Sequence, residues 1–128
     1  MIAPFVVGLG GALGAIARYY ATDWIRIIAG DAFPWGTFAV NVVGSFAIGF
    51  VMVWLQSVSP SAQTRQFIAI GFLGSFTTFS TFSYEAVALL RTGELWRAGG
   101  YAAGSMALGI LGVFAGAALA LAMTQSRG

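Results

Sequence analysis

The sequence predicts an all-α membrane protein: four transmembrane helices, with a break in the third. Three observations predict it. Only 8% of the 128 residues are charged and 59% are hydrophobic, against roughly a quarter charged in an average soluble domain. The ten charges leave four uncharged runs of 17, 33, 19 and 29 residues, and a helix of about 20 residues crosses a hydrocarbon core about 30 Å thick. The third run, finally, is dense in Gly, Ser and Thr, which interrupt helices. A single membrane domain over 1–128 follows, without a linker or low-complexity segment.

The first span is expected at about 2–20, with Pro4 tolerated in the first turn and Tyr19 and Tyr20 at the interface. Ala15-Ile16-Ala17 matches a small-x-small cleavage pattern, but no basic residue precedes the run as a secretory signal would require. The second span, about 35–55, opens at Pro34-Trp35, where proline ends the preceding chain and tryptophan suits the headgroup level; Trp54 marks the far interface. A polar connection from Ser57 to Thr64 contains Pro60 and leads to a third span at about 67–90, which carries seven hydroxyl side chains. After the charged turn Arg91 to Arg97, the fourth span covers about 98–123, long enough to cross with tilt.

Composition excludes much chemistry. The chain has no Cys, His or Lys and four carboxylates, so thiol, imidazole and Schiff-base catalysis are absent and acid/base tools are few. The reading is therefore not an enzyme. Six scattered Arg and a net charge of +2 give no basic stripe for nucleic acid.

Orientation is weakly specified. With four spans, Arg65 and Arg127 share one side with the termini, while Arg18, Arg26, Arg91 and Arg97 share the other. Four against two, or three against two with Arg18 inside its helix, is a small bias. It is compatible with insertion both ways round, and so with an antiparallel dual-topology homodimer; a fixed topology set by small differences is equally compatible.

Glycines at four-residue spacing, Gly10 and Gly14, Gly100 and Gly104, Gly112 and Gly116, predict close helix packing. Thr37, Asn41, Ser45 and Gly49 form a polar and small ladder on one face of the second helix, and Tyr101 and Ser105 begin another on the fourth, continued only by Gly109. An amide such as that of Asn41 costs several kcal/mol in hydrocarbon unless partnered. It therefore faces protein, as interhelical glue, or a watery path.

In the third span Thr78-Phe79-Ser80 is repeated as Thr81-Phe82-Ser83. If the helix breaks near Gly74 to Thr78, the freed carbonyls become cation ligands, with bound Na⁺ a reasonable occupant; a simple kink is the alternative. Hydroxyls, the amide and the positive ring edges of Phe79 and Phe82 offer neutral donation, which suits a small anion held weakly enough to leave.

Gly71-Phe72-Leu73-Gly74-x-x-Thr77-Thr78-Phe79-Ser80-Thr81-Phe82-Ser83-x-Glu85 resembles the third-helix signature of the Fluc or CrcB family of small fluoride channels. Trp35-Gly36-Thr37-x-x-Val40-Asn41-x-x-Gly44 resembles its second-helix motif, and Gly8-x-Gly10-Gly11-x-x-Gly14-Ala15-x-x-Arg18-Tyr19 its first, so the resemblance covers nearly the whole chain.

The resemblance implies a passive, fluoride-selective channel in the bacterial inner membrane that relieves cytoplasmic fluoride toxicity. It implies an antiparallel homodimer with two pores and a structural Na⁺ at the dimer centre, held by the carbonyls of Gly74 and Thr77. By the same resemblance Asn41, Phe79 and Phe82 face fluoride, Ser80 and Thr81 are donors beside them, and Thr37, Tyr101 and Ser105 form the polar track. Arg18 matches an interfacial arginine and Glu85 the acidic residue after the signature, although each is equally explained as a solvated or paired helix-end charge. Gly109 departs from the pattern where relatives carry a third hydroxyl. Two rivals remain: a proton-coupled exporter of cationic drugs using Glu85, and a non-conducting subunit of a larger membrane complex.

Overall fold

The computed structural model describes residues 2–126, so Arg127 lies outside the described residues. Among these the chain is all helical: α1 (Ala3–Ala29), α2 (Trp35–Val58), α3 (Ala62–Arg65), a π-helical segment π1 (Gln66–Leu73), α4 (Gly74–Phe76), α5 (Phe79–Arg91) and α6 (Leu95–Gln125). The segments α3, π1, α4 and α5 follow one another as the third of four long helical units.

Local chemistry sets most of the ends. Pro4 stands in the first turn of α1, where its missing N–H costs nothing. Gly30 closes α1 with a φ of 85°, a backbone conformation that favours glycine, and its N–H reaches Arg26 O at 2.8 Å. Pro34 caps α2. The third unit starts five residues earlier than the expected membrane segment because Ser61 caps it, its hydroxyl accepting from Thr64 N at 3.2 Å. α1 runs nine residues past the expected interface at Tyr20, carrying Asp23 and Arg26 on its last turns.

Between α4 and α5, Thr77 (φ −92°, ψ 157°) and Thr78 (φ −150°, ψ 124°) are extended. Thr78 then caps α5, its hydroxyl accepting from Thr81 N at 3.4 Å.

Packing rests on glycine. α2 lies mainly against α6, and α1 mainly against π1. A Cβ at Gly49 would strike the backbone of Val113, and one at Gly116 the backbone of Phe46; on the other pair, Cβ atoms at Gly10 and Gly14 would strike the backbones of Phe67 and Phe72. Backbones are thus in direct contact, as membrane helix pairs require. The expected stripe at Gly100 and Gly104 is different: among the described residues nothing lies within 4 Å of a Cβ at Gly100, and only the Phe38 ring approaches Gly104.

Three stretches, Trp35–Val58, Ala62–Arg91 and Leu95–Gln125, are long and apolar enough to cross a membrane. α1 is long enough but less apolar, because its glycines add little hydropathy and Arg18, Tyr19 and Tyr20 subtract from it. At most 22% of the residues in the apolar windows are buried within the chain. The remaining apolar surface requires a non-aqueous neighbour, and the chain is a multi-pass membrane protein.

Candidate functional site: a neutral groove and a charged cavity

The centre of the site is a bond between helices that are distant in sequence. Asn41, in the second turn of α2, accepts from Thr78 N at 2.8 Å through Oδ1 and donates to Thr78 O at 3.0 Å through Nδ2. Both backbone groups of the extended threonine are satisfied by one side chain. This leaves Asn41 a single unassigned N–H, since a primary amide has two.

The clamp has a consequence for two carbonyls. In a continuous helix Thr78 N would bond Gly74 O, and Thr81 N would bond Thr77 O. Here Thr78 N is taken by Asn41 and Thr81 N by the Thr78 hydroxyl. Gly74 and Thr77 have therefore lost the helical donors to their carbonyl oxygens. A third carbonyl, Ser75 O, accepts from Arg18 Nε at 3.0 Å, so a cation from α1 sits at the carbonyl end of α4.

Around Asn41 lies a groove of about 610 Å³ whose lining includes Ser45, Gly74, Thr77, Thr78, Phe79, Phe82 and Ser105 and contains no charged side chain among the described residues. The Ser105 hydroxyl is buried and has no hydrogen-bond partner among the described residues, a costly state unless something enters the groove to use it. The Ser45 hydroxyl donates to Asn41 O at 2.7 Å. Phe79 is 77% exposed and tilted against Phe82, ring centres 5.7 Å apart.

A second cavity, about 670 Å³, is lined by Thr37, Thr81 and Glu85 together with the charged residues Asp23, Arg26, Asp31, Glu94 and Arg97. Its cations are paired: Arg26 with Asp23 at 2.6 Å and Asp31 at 3.7 Å, Arg97 with Glu94 at 3.1 Å. The hydrogen bond and charge of Asp23, with the charge of Asp31, raise the Arg26 pKa above its ordinary value.

Tyr101 stands between the two. It is fully buried, donates to Glu85 Oε1 at 3.1 Å, and has Phe82 against its ring at 5.0 Å. Thr37, itself 4% exposed, is within reach of the same hydroxyl.

Of the residues singled out in the sequence, the structure brings Asn41, Phe79, Phe82, Ser105, Gly74 and Thr77 into the neutral groove and Thr37, Thr81 and Glu85 into the charged cavity. Tyr101, Ser80 and Arg18 line neither. Ser80 is exposed, with its hydroxyl 3.4 Å from that of Thr78, and Arg18 is occupied with Ser75 O. Sequence reasoning missed Thr78 and Ser45 as site residues, although the first lies in the Thr-Phe-Ser repeat and the second on the α2 ladder. Gly109 lines the groove, and a Cβ there would lie 3.5 Å from the Ser45 hydroxyl. α2 thus supplies a hydroxyl where α6 lacks one.

The model of the family described as "CrcB-like protein, Camphor Resistance (CrcB)" matches residues 5–117. A protein of Rhizobium etli strain CIAT 652 named "Fluoride-specific ion channel FluC" is 45% identical over 124 residues, 96% of this chain and 99% of its own. Proteins of the same name from Geotalea daltonii and Thermus thermophilus are 54% identical over 90 residues (70% of this chain, 73% of theirs) and 47% identical over 111 residues (87% of each). With three bilayer-length apolar stretches, glycine-packed helices and the Asn41–Thr78 clamp placed within the matched segment, the chain belongs to the CrcB family.

Proposed function

We propose that this chain is a passive, fluoride-selective channel of the bacterial inner membrane that lets cytoplasmic fluoride escape. The observation that carries the reading is the neutral groove: a path between helices lined by amide, hydroxyl and phenyl groups, no charged lining residue among those described, and a buried hydroxyl at Ser105 that lacks a partner among them. The names of the relatives support fluoride as the ion.

The mechanism is replacement of hydration by fixed neutral donors. The unassigned N–H of Asn41 and the Ser105 hydroxyl present hydrogens, and the rims of Phe79 and Phe82 present partial positive charge. Thr37, Thr81 and the Tyr101–Glu85 pair continue the polar track into the charged cavity. Small donors in a narrow path favour a compact anion over chloride. No charged group holds the ion, so it leaves as readily as it enters.

The working unit is an antiparallel dual-topology homodimer with two pores. The exposed Phe79 and the wide unburied apolar surface support a second copy as neighbour. The Gly74 and Thr77 carbonyls fit a resident Na⁺, because they have lost their helical donors and hard cations take oxygen ligands. Two oxygens are too few for one ion, and a symmetry-related copy supplies the same pair again. When bound, Na⁺ supplies a fixed positive charge at the interruption of the third helix.

The test is efflux from liposomes containing only the purified protein, with valinomycin to carry balancing K⁺ and chloride as the paired control. Fluoride loss without chloride loss is the expected outcome. Flux of neither ion refutes the channel reading.

A further inference from the structure

We propose that Phe33, carried on the loop 30–34, is a positioning residue that walls Tyr101 off from the charged cavity and holds its phenol on Glu85. Tyr101 lines neither cavity, yet its neighbours line both: Glu85 and Thr37 on one side, Phe82 on the other. It is the partition between them, and whatever fixes its ring controls whether they communicate.

Its ring is fixed from two sides. Phe82 tilts against it at 5.0 Å, and Phe33 meets it nearly edge-on, ring centres 5.3 Å apart at 81°. An edge-to-face approach is a favoured aromatic geometry. Phe33 is itself held by Trp35 at 4.5 Å and by Phe38 at 6.1 Å. The loop thus inserts one aromatic side chain into the bundle, while its positive-φ Gly30 turns the chain back from α1.

The loop has a second tie, the Arg26–Asp31 pair at 3.7 Å, whose side chains are 54% and 78% exposed. Exposed pairs of this kind contribute little, so the aromatic contact dominates. The inference deepens the channel reading, on which it rests for the identity of the ion that crosses the partition.

The test uses reactivity, which does not depend on the ion carried. The chain has no cysteine, so Thr37→Cys places the only thiol beside the Tyr101 hydroxyl, at a site 4% exposed. In liposomes, labelling by a water-soluble thiosulfonate is expected to be slow with Phe33 present. It is expected to be about tenfold faster with Phe33→Ala or the bulkier Phe33→Leu, the factor for losing one aromatic pairing with its burial. Phe33→Tyr should restore slow labelling, and Asp31→Asn should change it less than about threefold. Equal labelling rates with Phe33 intact and in the Phe33→Leu and Phe33→Ala variants would overturn the proposal, as would an effect of Asp31→Asn as large as that of Phe33→Ala. Fluoride flux through the unaltered protein, measured alongside, reports on the channel reading separately.

Discussion

Replacing Asn41 by aspartate and, separately, by alanine separates two roles that the wild-type residue combines. Asparagine holds Thr78 through two hydrogen bonds, lines the groove and has one N–H left unassigned. Aspartate keeps an acceptor for Thr78 N but has no donor for Thr78 O, which costs about 1–3 kcal/mol for the unpaired carbonyl. It also places a negative charge beside the ion path. At about 5 Å and an effective dielectric near 20, repulsion of a passing anion adds roughly 3 kcal/mol. Alanine loses both bonds, about 2–6 kcal/mol in all, but adds no charge. If Asn41 only held Thr78, aspartate would be the milder change. If it also meets the anion, the barrier added by aspartate is charge plus one lost bond, and at about 1.4 kcal/mol per factor of ten fluoride efflux falls by at least about a hundredfold. The assay is efflux from liposomes, with size-exclusion chromatography to establish that assembly is unchanged. Wild-type flux through Asn41→Asp, with assembly intact, would refute the reasoning, and flux well above that of Asn41→Ala would assign Asn41 to scaffolding alone.

Phe82→Ile keeps bulk but removes a ring that lines the groove and touches Tyr101; fluoride flux is expected to fall at least about tenfold, the factor for roughly 1.4 kcal/mol added to the barrier, with the elution volume in size-exclusion chromatography unchanged. Gly116→Ala drives a Cβ into the Phe46 backbone, which cannot move aside, and overpacking of this kind costs about 1–3 kcal/mol; thermal melting should show the loss. Gly100→Ala, with nothing described within 4 Å, should melt at or above the wild-type temperature, since glycine inside a helix is worse than alanine by about 0.5–1 kcal/mol. Exchanging Na⁺ for a large organic cation should lower both melting temperature and flux if the Gly74 and Thr77 carbonyls hold the ion, and unchanged values for both would remove Na⁺ from the mechanism.

Elements whose causes are local were legible in the sequence. Pro34 ahead of Trp35 marks the start of α2 because proline both ends one segment and suits the next helix entry. The Gly10, Gly14 and Gly116 contacts were legible because four-residue spacing puts small residues on one helix face. Gly100 and Gly104 show the limit of that signal: the same spacing occurs with no backbone opposite among the described residues, since spacing does not say which face a neighbour covers. The extension of α1 to Ala29 was not legible, because hydropathy reports where a helix leaves the membrane and not where its hydrogen bonding ends.

The site divides along the same line. Residue types alone determined that this chain has no catalytic thiol or imidazole, that its charges lie outside four apolar runs, and that its polar groups inside them are neutral donors. Which donors meet was decided by tertiary structure: Asn41 reaches Thr78 across 37 residues, Arg18 reaches Ser75 across 57, and Tyr101 reaches Glu85 across 16. The physical reason is that a hydrogen bond in an apolar medium is directional and costly to leave unmade. The sequence can require that Asn41 have partners; only the packing of glycine-faced helices brings the extended Thr78 backbone to within 3.0 Å of it.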